Sequence, residues 1–137
     1  MPEQFPRTDL LRWLALPFAV LAAFVTAGIS GRMLASGLHT WDEPTAGFLA
    51  AISVVLTAYF MAPRYQLQIA LVVFVAGALA AVSILSDTTF PEGHPRAYEP
   101  TRWPLAITVF GGVLGLALVA MHTLLRRRPH PAKAVPS

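Results

Sequence analysis

Four stretches of the chain contain no Asp, Glu, Lys or Arg: Trp13–Gly31, Pro44–Pro63, Tyr65–Ser86 and Trp103–Leu125. Each is close to the ~20 apolar residues with which a helix crosses a bilayer. Charged residues punctuate every gap between them. Hydrocarbon offers no water to backbone N–H and C=O groups, so a spanning segment satisfies them internally. Helices do this, and the alternating pattern of a membrane barrel is absent. The sequence therefore predicts an all-α polytopic membrane protein, a bundle of four transmembrane helices over about 10–33, 44–63, 65–86 and 102–125. Residues 1–128 form a single transmembrane domain, and 129–137, with Pro129, Pro131 and Pro136, are expected to be a disordered cytoplasmic tail.

Composition limits what such a chain does. Charged residues make up 12% and apolar residues 55%, with a mean hydropathy of +0.59. Soluble domains carry about 25% charge, and a water-soluble fold of this length would display much of its Leu, Val and Ala on its surface. The short loops leave no room for a soluble catalytic domain. There is no cysteine, which removes structural disulfides, thiol redox chemistry and thiolate metal sites together. The first apolar run follows Arg7 and Arg12, and Val25-Thr26-Ala27 resembles a signal-peptide cleavage site. That run exceeds the roughly 7–15 residues of a signal h-region, so it is read as a retained helix.

The basic balance (net charge +3) has a distribution that points to orientation. With a cytoplasmic N-terminus, Arg7, Arg12, Arg64, Arg126, Arg127, Arg128 and Lys133 lie inside, seven of the ten basic residues. Arg32, Arg96 and Arg102 lie outside. Basic loops are retained in the cytoplasm, so both termini and the turn at Arg64 are expected there. Arg126, Arg127 and Arg128 then anchor the last helix to anionic headgroups at about 1 kcal/mol per charge; no nucleic acid is expected as a partner. Trp13 and Tyr65 fall at the inner boundary and Trp41 and Trp103 at the outer one, where rings with an apolar body and a polar tip are favoured.

Local chemistry marks the helix ends. Gly28, Ser30 and Gly31 are expected to loosen the far end of the first helix, with a short loop over 36–43. Asp42 and Glu43 before Pro44 open the second helix, negative side chains at its positive end. Ala62-Pro63-Arg64-Tyr65 makes a tight turn. The 87–102 segment, with Pro91, Gly93, Pro95 and Pro100, is expected to be extended rather than helical.

Lipid is as apolar as Leu, so membrane helices associate through close packing of small residues. The candidate packing positions are Gly111 and Gly115 on the fourth helix, Gly77 and Ala81 on the third, and Gly47 and Ala51 on the second. Packing within the bundle is the expected use of Gly111 and Gly115; an oligomer interface is the alternative. No Asp, Glu, Lys or Arg lies in the four stretches, and His122 is read as a boundary histidine wetted near the internal headgroups. Proton-coupled antiport wants a membrane-embedded acid, and the chain has none. The outer loops hold the candidate metal ligands His39, Asp42, Glu43 and His94, without a recognised ligand spacing. The expected reading of these residues is solvated loops and helix caps, and no cofactor is expected. Catalytic signatures are also missing. The expectation is a non-enzymatic accessory or assembly subunit of a bacterial-type inner-membrane complex, in contact with the lipid bilayer and a homo- or hetero-oligomeric membrane partner. The alternative is a small oligomeric transporter or channel, followed by a membrane-embedded metal- or haem-binding protein or enzyme.

Overall fold

A computed structural model describes residues 7–126. The chain is all-α: α1 spans Arg7–Leu38, α2 Asp42–Met61, α3 Gln66–Leu85 and α4 Trp103–Arg126. All four are long and apolar enough to cross a membrane. Arg127, Arg128 and the tail at 129–137 lie outside the described residues.

The last three helices begin and end within three residues of the expected positions. The first does not. It runs for 32 residues, straight through Pro17 and through Gly28, Ser30 and Gly31, a length of about 48 Å at 1.5 Å per residue. The residues expected to loosen it have local reasons not to. Ser30 donates its hydroxyl to Thr26 O at 2.8 Å, and Gly31 is buried against α2, where a β-carbon would sit 2.6 Å from Ala46 Cα. Packing offsets the ~1 kcal/mol that a glycine costs a helix relative to alanine. The helix stops instead at His39, which is left-handed (φ 54°). Thr40 N–H donates to Ala35 O at 3.0 Å and His39 N–H to Ser36 O at 3.3 Å. This pair of reverse bonds is the Schellman arrangement, with His39 taking the place usual for glycine.

α2 is the hub. It packs on α1, α3 and α4, whereas α1 packs on α2 alone among the helices; α3 and α4 also touch. The interior is built from small residues: Ala46, Ala50 and Ala58 of α2, Ala62 just after it, Ala35 of α1, and Ala70 and Ala81 of α3 are buried. Larger buried groups are few, with Val55, Tyr59 and Val119 clustering around Ala70. Leu56, Phe74 and Leu116 close over that cluster.

The α3–α4 connection is more ordered than a simple extended loop. Phe90 N–H donates to Glu99 O at 3.0 Å, and Thr101 N–H donates to Thr88 O at 2.9 Å. Thr89 and Pro100 thereby form an antiparallel bridge. Thr88 Oγ1 lies 2.9 Å from Thr101 O and 3.0 Å from Leu85 O, tying the fold-back to the end of α3. The reversal itself uses Gly93 (φ 94°) and Tyr98 (φ 68°).

Candidate functional site

Three features carry most of the specific chemistry: the α2–α4 seam, a polar lock at one end of it, and an aromatic recess at the other. The seam is where the glycines lie. A β-carbon on Gly111 would sit 2.6 Å from the carbonyl oxygen of Phe48, and one on Gly115 would sit 3.2 Å from Val55 Cβ and 3.4 Å from Ile52 Cα. Gly47 faces the Thr108 hydroxyl, which is donated to Pro104 O at 2.8 Å. Gly112, the neighbour that sequence reasoning passed over, takes the ring of Phe74 from α3, with Ala51 Cβ at 3.9 Å from its own missing β-carbon. Gly111 and Gly115 thus meet α2 of the same chain. Ala81 is buried, whereas the space around Gly77 is open, with nothing within 4 Å.

The polar lock closes the seam at the end formed by the α2–α3 turn. Tyr59 is only 3% exposed, and its hydroxyl lies 3.0 Å from His122 Nδ1 and 3.1 Å from Thr123 Oγ1. Thr123 donates its own proton to Val119 O at 2.9 Å. A hydroxyl has one proton, so the directions follow: Tyr59 donates to Thr123 and accepts from His122 Nδ1–H. The rings of Tyr59 and Phe60 both meet the imidazole edge-on. His122 is therefore half-buried and bonded, where the sequence suggested a wetted boundary group. The missed partner, Tyr59, had one available signal: five residues before Arg64, it matches the depth of His122 four residues before Arg126.

Two further contacts pin α1 at this end. Arg12 donates to Phe60 O at 2.9 Å, one of the carbonyls the last turn of α2 leaves unpaired. Asp9 lies 3.6 Å from Arg64. Trp13 lies one residue beyond Arg12, and Arg126 is in the last turn of α4.

At the opposite end the two loops meet through rings. Trp41 stands before α2 with its ring 5.6 Å from that of Phe90, and Phe90 stacks on His94 at 4.4 Å and 8°. With Thr101, Arg102 and Trp103 they line an open recess of about 500 Å³. The metal candidates are not drawn together there. His39 ends α1, Asp42 and Glu43 occupy the first turn of α2, and His94 lies flat on Phe90 with Nδ1 accepting from Arg96 N–H at 3.1 Å. Among the described residues, no three His, Asp or Glu side chains stand at metal-binding spacing.

No family model matches the chain, and neither the curated proteins nor the solved structures contain a match to it.

Proposed function

We propose that the chain is a four-span integral membrane protein with both termini cytoplasmic, and that it serves as a non-enzymatic accessory or assembly subunit of an inner-membrane complex. One observation supports the membrane reading most strongly. The outer surface is apolar and the interior is made of small residues, the inverse of a water-soluble bundle. Leu14, Phe18, Leu21, Met33, Leu79 and Ile84 are all at least 60% exposed. Exposed apolar area on this scale in water would cost about 25 cal/mol per Å², and lipid removes that cost. On α1, Arg12 and Arg32 are 20 residues apart, about 30 Å along the axis, which matches the hydrocarbon thickness. The two tails and the Arg64 turn carry the larger basic share, which supports the cytoplasmic assignment.

The subunit reading rests on α1. Only 6% of its most apolar window is buried, against 33% for α2. A helix attached along one face of one neighbour has broad surface left for lipid or for another protein. Reporter fusions after Leu38 and Glu92 should behave as external and fusions after Arg64 and Ser137 as cytoplasmic; an external Ser137 fusion would overturn the topology. Mild-detergent purification with mass and absorbance measurement tests the role. Stoichiometric foreign subunits support it, whereas a defined homo-oligomer would favour a transporter or channel, and a Soret band or bound metal would favour a carrier.

A further inference from the structure

The recess between Trp41, Phe90 and Trp103 has a chemistry that the subunit reading does not use. Three of its lining side chains, Arg102, His94 and Thr101, carry donors. The Arg102 guanidinium has no hydrogen bond or ion pair among the described residues. His94 Nδ1 is occupied as an acceptor by Arg96 N–H, which places the ring proton on Nε2. Thr101 Oγ1 is approached by Trp103 N–H at 3.2 Å, so its own proton remains to be donated. This end of the bundle carries five acids, Asp42 and Glu43 in the first turn of α2 and Asp87, Glu92 and Glu99 in the α3–α4 connection, yet none of them lines the recess. Three side-chain donors lining one recess that no acidic side chain lines select an anion, and the guanidinium among them favours a phosphate through charge-assisted bonds.

The walls say what kind of molecule carries that phosphate. Trp41, Phe90 and Trp103 are apolar faces, and the recess continues to Ala106, one turn along α4. Below it Phe110, 61% exposed, stacks on Phe48 at 6.3 Å. An apolar track therefore leads from the donors down the outer surface of the α2–α4 pair. A free phosphate would use the donors and leave the track bare; an amphiphile would use both. Tryptophans at headgroup level set the same depth.

We propose that this recess binds the phosphate of an anionic phospholipid, with Arg102, His94 and Thr101 as donors and the acyl chains lying along Ala106 and Phe110. The proposal rests on the membrane-spanning reading, which carbonate extraction of the same membranes reports separately. The binding test uses the full chain carrying Trp13→Phe, so that Trp41 and Trp103 dominate the fluorescence, in mild detergent. Short-chain phosphatidic acid should give a saturable change, with phosphatidylcholine and inorganic phosphate at least about tenfold weaker. Arg102→Gln should weaken phosphatidic acid about tenfold or more, and Arg102→Lys by less, because the charge remains while the planar fork is lost. Arg96→Gln, on a side chain outside the recess, should titrate like the parent. Equal titration by Arg102→Gln and the parent would overturn the site. Equal binding of phosphatidylcholine would overturn its charge selectivity, and equal binding of inorganic phosphate would overturn the lipid assignment.

Discussion

α4 and α1 lie against the same helix, but they are held in different ways. α4 meets α2 along its whole length, through Gly47 and Thr108, Phe48 and Gly111, Ile52 and Gly115, Val55 and Val119, and finally Tyr59 with His122 and Thr123. α1 packs on α2 at least as extensively as α4 does, with Gly31 against Ala46 and Thr45 and with Ala35 buried, and Arg12 to Phe60 O and Asp9 to Arg64 tie down its charged end. Close backbone approach multiplies dispersion contacts and brings Cα–H groups within reach of carbonyl oxygens, each of which is a small gain. On α4 that close approach occurs at Gly111 and Gly115, and α4 is backed by α3 as well, whereas on α1 it occurs at Gly31 and α2 is the one helix that α1 touches. The α2–α4 pair with α3 behind it should thus be the stable unit, and α1 the part whose position is easiest to disturb.

The contrast predicts where bulk is least tolerated. Gly111→Leu with Gly115→Leu should lose about 3 kcal/mol or more, since the new side chains would meet backbone that cannot move aside. Thermal aggregation in detergent measures it, with Val113→Leu and Leu118→Val as controls at exposed positions of α4. Equal behaviour of the two pairs would remove the seam from the account. Gly31→Leu should cost about 2 kcal/mol and displace α1 alone, because the backbone it would meet first, at Ala46 and Thr45, belongs to α2, the one helix that α1 touches. Cysteine cross-linking between α2 and α4 should survive that change while cross-linking between α1 and α2 falls; loss of both would mean that α1 is integral to the core.

Smaller changes sharpen the same picture. Tyr59→Phe removes the acceptor for His122 and the donor to Thr123, and should lower stability by about 1 kcal/mol, the scale of interhelical hydrogen bonds in membranes. Thr123→Val should cost no more than that, because Tyr59 keeps His122; a larger effect would place the weight of the lock on Thr123. The weakest effect should come from Asp9→Asn. Its ion pair with Arg64 is 3.6 Å long, and the Arg64 side chain is 48% exposed, so screening leaves well under about 1 kcal/mol. A measurable shift in melting there would show that the charged end contributes more to holding α1 than its geometry suggests.

Much of this was readable from residue order. Four charge-free runs are each one helix because backbone satisfaction and apolar length act locally, and the Pro63 turn and the acidic start of α2 likewise need no partner to explain them. The glycines were legible as packing positions, though not with respect to what. Gly77, Gly28 and Gly31 look equivalent in sequence, yet only Gly31 has a backbone against it, while Gly28 and Gly77 face open space. That difference depends on which helix neighbours which, and α2 became the hub through shape rather than pattern. The continuous α1 follows from the same cause, since Gly31 extends a helix where a neighbour covers it. His122 and Tyr59 are 63 positions apart, and His94 and Arg102 become a pair of donors only because the α3–α4 loop folds back through Thr88, Thr89 and Phe90. Chain order determines which segments become helices, because those forces act within a few residues. Tertiary structure decides which groups meet, because close packing and hydrogen bonding act over a few ångströms whatever the separation along the chain.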